Sequence, residues 1–121
     1  MAVDIFKKGS VEMLSLLLLN ENDVHGYQIV QIIKKRSDNK LTFKEGSLYP
    51  VLYRLLEGGF ISSYEEIIKT KTGRTRIRVY YHMEPSGRAR LHRLKSEYDE
   101  VHEGIRAVFT SSKPTEEIAD R

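Results

Sequence analysis

The sequence contains no cysteine and no tryptophan among its 121 residues. Without cysteine the chain can form neither disulfides nor a thiol redox sensor, and cysteine-ligated zinc is excluded as well. Long apolar runs are also missing. No stretch is long enough to span a membrane, and no apolar run follows basic residues near the start, as it would in a secretory signal. We therefore expect a cytoplasmic protein, and its length suits one domain with a modest core.

Residue patterns of common catalytic sites are missing too. The sequence has no glycine-rich phosphate loop and no nucleophile elbow, and its acids are spaced as on helix surfaces. The four histidines, His25, His82, His92 and His102, lack the i, i+4 spacing of a helical metal site. A site shared by Asp99 and His102 of two subunits is the remaining alternative for a metal. We predict a protein that is not an enzyme and needs no metal or cofactor.

Charge is distributed unevenly although the net charge is only +3. Between Lys69 and Lys95 every charged residue is a cation except Glu84, whereas acids predominate from Glu97 onward. A basic middle beside an acidic end suggests a polyanion partner at one face. The alternative is a solvated face rich in lysine and arginine.

The segment from Glu45 to Gly59 predicts an amphipathic helix. One side is apolar and should dock on a core; it carries Leu48, Val51, Leu52, Leu55 and Leu56. The other side carries groups that can contact base edges and phosphates in a major groove; they are Ser47, Tyr49, Pro50, Tyr53, Arg54 and Glu57. Gly58 and Gly59 should end the helix.

Two starts are possible for this helix. Thr42 and Glu45 have the spacing of a capping box, and Ser47 is a later cap. The later start places Pro50 in the first turn, where its missing N–H costs little. We therefore expect a short turn over residues 43–46 and regular helix from Ser47.

Two helices should precede this one. Ser10 can cap a helix running to about Asn20 that is apolar nearly all round, so either it is the central helix of the core or a second subunit covers one side. Asp23 can cap the next helix, from His25 to Ser37, with Ile29, Ile32 and Ile33 on its buried side. Tyr27 and Gln28 then lie where such a helix crosses the phosphate backbone, although Tyr27 could equally be partly core.

A β-hairpin should follow the third helix. Residues Arg76 to Met83 alternate apolar and polar side chains, as a half-buried strand does. Ile61 to Ile68 predicts its partner strand, but the Ile67-Ile68 pair leaves its two faces unassigned. The connecting residues 69–75 combine cations, threonines and a glycine. Such a loop can lie along or enter a minor groove, as the wing of a winged helix does.

The last predicted helix opens at Pro85, with Glu84 at the cap. Its apolar residues recur at spacings of three and four, which is the heptad pattern of a helix that pairs with another; they are Leu91, Leu94, Tyr98, Val101, Ile105 and Val108. The same helix or the first helix of a second copy could bury this seam. The alternative is packing within the chain.

Several of these residues together resemble a known family. Gly46-Ser47-Leu48-Tyr49-Pro50, followed by Leu52, Arg54 and Leu55, resembles the third-helix signature of PadR-like transcriptional regulators. His25 to Ile29, Gly73-Arg74 and Gly87 fall where other marks of that family fall, and the resemblance covers roughly residues 8 to 108. Glu84 departs from it, since the family more often has threonine or serine there.

The resemblance implies a bacterial winged-helix dimer of the short subfamily, with a single C-terminal dimerisation helix, that represses genes until a small molecule releases it. We therefore expect a mainly α fold with a small β-hairpin (α+β), a winged helix-turn-helix. Residues 1–83 would be the DNA-binding domain, 84–111 the dimerisation helix and 112–121 a disordered tail. The alternative function is a protein–protein adaptor without specific DNA binding.

The expected partners are operator DNA, a second copy of the chain and a small aromatic or apolar effector. The predicted DNA contacts of the third helix are Lys44, Ser47, Tyr49, Pro50, Tyr53 and Arg54. Those that precede it are Lys7, Tyr27 and Gln28, and those of the wing are Lys69, Lys71, Thr72, Arg74 and Arg76. The predicted dimer interface consists of Met13, Leu17, Leu91, Leu94, Tyr98, Val101, Ile105 and Val108. Tyr98 and Phe109 are the aromatic candidates for effector binding.

Overall fold

A computed structural model describes residues 3–4 and 9–111 of the chain. The helices are α1 (Val11–Glu21), α2 (Gly26–Arg36), α3 (Glu45–Glu57) and α4 (Pro85–Thr110). The strands are β1 (Val3–Asp4), β2 (Val24–His25), β3 (Leu41–Thr42), β4 (Ile61–Lys69) and β5 (Thr75–Met83). Lys7 and the predicted disordered tail, 112–121, lie outside the described residues. The α+β winged-helix prediction is confirmed.

The hairpin of β4 and β5 is antiparallel, and β2 pairs with the other edge of β5. β1 and β3 form a separate parallel pair. The register of the hairpin runs from Ile61 opposite Met83 to Lys69 opposite Thr75, so each strand is one residue longer than predicted. Residues directly opposite share a face. Ile67 therefore lies on the same face as Ile77, which assigns the faces that the sequence left open.

The core lies between the first three helices and the base of the hairpin. Its fully buried members include Leu16 of α1, Ile29 of α2 and Leu52 of α3. The predicted inner side of α3 is confirmed, with Leu48, Val51, Leu52 and Leu55 buried and Leu56 half-buried. Burying one such side chain contributes roughly 1.5–3 kcal/mol to folding. Ile61, Tyr81 and Met83 close the core from the hairpin.

α1 is the central helix of this core, but one strip of it remains accessible. Leu16, Leu18 and Leu19 are buried, whereas Leu17 is exposed and Met13 is half-buried. The interpretation of α1 as the central helix of the core is therefore confirmed, and the coverage by a second subunit stays a prediction. α1 is enclosed by its own domain on most sides, and a narrow apolar strip is left for another contact.

The predicted start of α3 at Ser47 is wrong. The helix begins at Glu45 with Lys44 at the cap, and Ser47 N–H donates to the Lys44 carbonyl at 3.0 Å. Pro50 therefore lies inside the helix and deprives the Gly46 carbonyl of its helical partner. Because Gly46 is exposed, water can hydrate that carbonyl and lower the cost.

The predicted caps also differ from those observed. Asp23 does not cap α2; His25 occupies the N-cap, and its N–H donates to Gln28 Oε1 at 3.0 Å. Ser10 and Glu84 occupy the caps of α1 and α4, but neither side chain makes a capping hydrogen bond. The Glu84 carboxylate instead accepts a hydrogen bond from the Ser62 hydroxyl at 2.7 Å, because Glu84 N–H also donates to the Phe60 carbonyl at 3.0 Å and so holds the start of α4 beside this segment.

α4 has a packed half and a projecting half. Near its start, a Cβ on Gly87 would overlap the Phe60 carbonyl oxygen and the Met83 sulfur, so only glycine allows this close approach. Leu91 and Leu94 pack against the core. Beyond them the helix leaves the domain, and no residue from Glu100 to Thr110 is buried. Among the described helices, none has both the length and the apolar character that crossing a membrane requires.

Candidate nucleic-acid interface

The outer side of α3 is open to solvent at the residues predicted for the groove. Tyr53 is 57% exposed, and Lys44, Pro50 and Arg54 are exposed as well, while Ser47 is half-buried. The reason is the helical period, because docking the leucine side turns these residues outward. The Tyr53 phenol and the Arg54 guanidinium are therefore both available to a ligand lying along the helix.

Tyr49 is placed differently from its neighbours. It is half-buried, its hydroxyl donates to Glu45 Oε1 at 2.7 Å, and its ring lies against Gly26 of α2. Burial, and then the hydrogen bond to Glu45, raise the pKa of Tyr49 to about 12. A Cβ on Gly26 would lie 3.0 Å from the Tyr49 hydroxyl, so the glycine allows this contact. Tyr49 thus joins α3 to α2 in addition to facing the predicted groove.

The start of α2 lies beside this helix. Tyr27 is exposed, which favours the phosphate-contact interpretation over the core interpretation. The amide oxygen of Gln28 is engaged by His25 N–H, so Gln28 has a structural role at the helix cap. Its amide nitrogen has no hydrogen-bond partner among the described residues.

The tip of the hairpin is exposed and well defined by hydrogen bonds. Thr70 N–H donates to the Arg74 carbonyl at 2.8 Å, and Gly73 N–H donates to the Thr70 carbonyl at 3.0 Å. Gly73 has φ +83°, a left-handed conformation that favours glycine. The Thr72 hydroxyl lies 3.0 Å from that of Thr70.

The cations of the hairpin are unpaired within the part of the chain that the structure describes. Lys69, Lys71, Arg74 and Arg76 are exposed and belong to none of its ion pairs. By contrast, Arg90 pairs with Glu12, and other arginines and lysines pair with acids on their own or neighbouring helices. The hairpin cations are therefore free to neutralise phosphates.

A cleft of about 630 Å³ separates α3 from the hairpin. We call it the helix–wing cleft; it is lined by His25, Gly26, Tyr27, Glu45, Tyr49, Tyr53, Arg76, Ile77, Arg78, Val79 and Tyr81. Sequence reasoning did not include Arg78, although it follows Arg76 at the two-residue period of a strand. Burial, and then the charge of Arg78, lower the pKa of His25 and so favour its neutral form.

A second surface is formed by α1 and α4. We call it the α1–α4 strip; it comprises the eight residues predicted for the dimer interface, namely Met13, Leu17, Leu91, Leu94, Tyr98, Val101, Ile105 and Val108. Met13, Leu17, Leu91 and Tyr98 line one apolar groove of about 580 Å³. Met13, Leu94, Tyr98 and Val101 line a neighbouring one of about 270 Å³. Ile105 and Val108 continue the strip along the projecting half of α4 and are exposed.

The helices, the hairpin and the exposed helix–wing cleft define a winged helix-turn-helix protein. Residues 14–93 match the model of the transcriptional regulator PadR-like family. The chain belongs to that family of transcriptional regulators, as the third-helix signature had indicated.

The chain is also similar to individual proteins and solved structures. An uncharacterised protein of Lysinibacillus sphaericus is 34% identical over 98 residues, which cover 81% of this chain and 86% of that protein. A transcriptional regulator from Clostridium thermocellum has a similar structure, with a TM-score of 0.74, 28% identity and coverage of 88% of this chain and 97% of the other. PadR of Bacillus subtilis, whose structure was solved with operator DNA, has a TM-score of 0.60 and 27% identity over 69% of this chain and 45% of that one.

Proposed function

We propose that this chain is a sequence-specific transcriptional repressor that binds a pseudo-palindromic operator as a homodimer. Residues 1–83 bind DNA, and residues 84–111 join the two copies. The observation that carries the proposal is the coincidence of two features on one side of the molecule. Tyr53 and Arg54 are exposed on α3, and across the helix–wing cleft from Tyr53 lie Arg76 and Arg78 of the wing.

Each protomer places α3 in a major groove, where Tyr53, Arg54, Ser47 and the half-buried Tyr49 approach base edges. Lys44, Tyr27 and the wing cations contact the flanking phosphates, and the tip with Thr72 lies along the backbone or in the minor groove. Arg78 joins this set because it lines the same cleft. Two-fold symmetry then requires half-sites about one helical turn, roughly 34–36 Å, apart.

The homodimer is supported by the α1–α4 strip. Its outer residues have no partner within the described part of the protomer, and their heptad spacing suits a second helix. A symmetric pairing in which each copy buries the strip of the other removes this apolar surface from water.

The decisive experiment selects binding sites from a randomised duplex library with the full-length protein and then titrates the enriched sequence with salt. We expect an inverted repeat. If six to ten phosphates are neutralised, affinity should fall about 10³- to 10⁵-fold between 50 and 200 mM salt. Enrichment of no sequence, or binding indifferent to salt, would remove the proposal.

Release by an effector is part of the proposal. The groove between α1 and α4 is largely apolar and adjoins the dimer strip, so a small aromatic or apolar molecule could alter the pairing of two copies. Tyr98 lines that groove, whereas Phe109, the other aromatic candidate, is exposed outside it. Such a molecule must bind the released arrangement more tightly than the DNA-bound one. Screening aromatic compounds for DNA release tests this, with a His92→Ala variant, which alters the lining of the groove but not the strip, as the control.

One observation favours the adaptor alternative. Ile67 and Ile77 of the wing are 73% and 64% exposed, and such residues can anchor a protein partner. They lie among unpaired cations rather than on the exposed side of α3, which offers phenols and an arginine. Retention of selected DNA after alanine replacement of both Arg54 and Arg74 would favour the adaptor.

A further inference from the structure

One carboxylate holds both strands of the wing. Asp23, in the turn between α1 and β2, has its Oδ1 2.8 Å from His82 Nδ1 on β5. Its Oδ2 accepts a hydrogen bond from the Tyr64 hydroxyl on β4 at 2.9 Å. These partners are 59 and 41 residues away in sequence, so the contact is purely tertiary. Asp23 therefore ties the helical part of the domain to the two strands at once.

The rings on this outer face of the sheet extend the contact. Tyr64 stacks on Tyr80 with ring centroids 5.7 Å apart, and Tyr80 meets the edge of His25 at 5.5 Å. His25 is in turn the N-cap of α2. A continuous row of rings thus runs across the sheet from β2 to β4, with Asp23 at its end. Hydrogen bonding to His82 lowers the pKa of Asp23 and so favours its charged form.

The contact lies at the base of the wing, so a small change of angle there displaces the tip. Beyond Tyr64, the strands are exposed apart from the half-buried Ile68 and Tyr80, and they project to the basic tip. The five steps from Tyr64 to Lys69 span roughly 17 Å at about 3.3 Å per residue. A tilt of about 5° at Tyr64 would therefore move the tip by roughly 1.5 Å, which exceeds the tolerance of a hydrogen bond.

We propose that Asp23 is a positioning residue for DNA binding: by bonding Tyr64 and His82 it fixes the angle of the wing relative to α2 and α3. This inference rests on the proposed function, since it assigns the wing to DNA. Asp23 itself does not touch DNA. Its effect reaches the phosphates through the orientation of Lys69, Lys71 and Arg74.

Simple electrostatics predicts the opposite change in DNA affinity on replacing Asp23, which makes the proposal testable. Asp23 is an acid near a polyanion site, so removing its charge should strengthen DNA binding if charge alone mattered. Loss of wing orientation should weaken binding. Glu21 is the matched control. It lies two residues away, pairs with Arg36 on α2 and has no contact with the wing among the described residues.

The experiment compares Asp23→Ala, Tyr64→Phe and Glu21→Ala in the full-length protein, using the duplex that the unaltered protein enriches from a randomised library. We expect about three- to tenfold weaker binding for the first two variants. Tyr64→Phe keeps the ring stack and every charge, so any loss of DNA affinity in this variant comes from the missing hydroxyl. Glu21→Ala should bind as well as the parent or slightly better. Asp23→Ala binding as tightly as Glu21→Ala would overturn the inference.

A double-mutant cycle separates positioning from general stability. Lys69, Lys71 and Arg74 lie at the wing tip, and Lys69 is roughly 17 Å along β4 from Tyr64 at about 3.3 Å per residue, so effects that do not act through the wing should add to theirs. In a Lys69→Ala/Lys71→Ala/Arg74→Ala background, Asp23→Ala should weaken binding less than twofold further, because the cations that it orients are gone. A full additional loss in that background would show that Asp23 does not act through the wing. If the unaltered protein enriches no sequence, the proposed function itself fails, which is a distinguishable result.

Discussion

The wing and the projecting half of α4 expose apolar side chains to a similar degree but differ in the charges around them. Ile67 and Ile77 on the wing are 73% and 64% exposed, and Val101 and Val108 on α4 are 61% and 73% exposed. On the wing the five cations Lys69, Lys71, Arg74, Arg76 and Arg78 outnumber the two acids Glu65 and Glu66, and none of the five belongs to an ion pair in the described part of the chain. The apolar residues on α4 lie among Glu97, Asp99, Glu100 and Glu103, and two of these acids already pair with Arg93 and Lys95.

This difference teaches that exposed apolar area alone does not identify a partner. Unpaired cations beside Ile67 and Ile77 suit a polyanion, whose counterions are released on binding. On α4 the acids around the apolar stripe repel DNA, whereas the stripe itself can be buried by a second copy. We accordingly assign DNA to the wing and a second copy to the projecting half of α4, and each assignment can be tested separately.

The largest effect is expected from charging the α4 stripe. Replacing Val101 and Ile105 by glutamate places acids where two copies would meet, so the protein should become monomeric at micromolar concentration. Operator affinity should then fall by about 10²-fold or more, because two linked half-site contacts are lost. Sedimentation velocity measures the first change and a gel shift the second. Glu100→Gln is the control, and a dimer that survives both glutamates contradicts the assignment of the stripe.

A smaller effect is expected from the wing cations. Arg74→Ala together with Arg76→Ala should weaken DNA binding about 10- to 100-fold and reduce the salt slope by roughly two, since each phosphate contact contributes about 0.9. The dimer and the melting temperature should not change, because both residues are exposed and unpaired among the described residues. Arg93→Ala, which removes a cation from α4, serves as the reference. An unchanged salt slope would mean that the wing does not lie on phosphates.

A smaller effect still is expected from replacing one exposed apolar residue by serine on the wing and one on α4. Ile77→Ser should weaken DNA binding by less than about fivefold and leave dimerisation intact, whereas Val108→Ser should weaken the dimer and alter DNA binding only through it. Both are exposed, so neither should lower the free energy of unfolding of the protomer by more than about 0.5 kcal/mol. Dilution experiments measure dimer dissociation, and binding to a single half-site measures the DNA contact of one protomer, so the two measurements together distinguish the variants. The reverse pattern would support a protein partner at the wing.

The last test measures protein stability instead of binding and concerns the helix that faces the wing. The pKa of Tyr49 is raised to about 12 in the folded protein, above its ordinary value of 10.0. The folded state therefore holds this proton more tightly, and the stabilisation is complete below pH 10 and is lost as pH rises toward 12. Tyr49→Phe lacks this dependence. Relative to it, the parent should lose about 1 kcal/mol between pH 9 and pH 11.5 in urea unfolding, after allowance for partial exposure. Parallel pH profiles for the two proteins would contradict the assigned burial.

Sequence periodicity predicted the elements that are governed by local pattern. The leucine side of α3 and the alternation of β5 follow from which neighbours share a face. The stop at Gly58-Gly59 follows from the backbone conformations that glycine allows. The exposed side of α3 was predicted for the same reason, because burying Leu48 and Leu52 turns Tyr53 and Arg54 outward. What failed was detail at helix starts. The later start of α3 was favoured because it places Pro50 in the first turn. The helix starts earlier, and because Gly46 is exposed, water can hydrate the carbonyl that Pro50 leaves without a helical partner.

The sequence by itself determined the core of this protein, the third-helix signature and the separation of basic and acidic regions, since all three depend on residue type and spacing. Only the tertiary structure decided what Asp23, Tyr49 and Arg78 do. Asp23 has the spacing of a helix cap but bonds two strands instead, Tyr49 lies against Gly26, and Arg78 joins the cleft. The physical reason is that a polar side chain takes the best partner within reach after folding. Partners 41 and 59 residues away leave no trace in local periodicity.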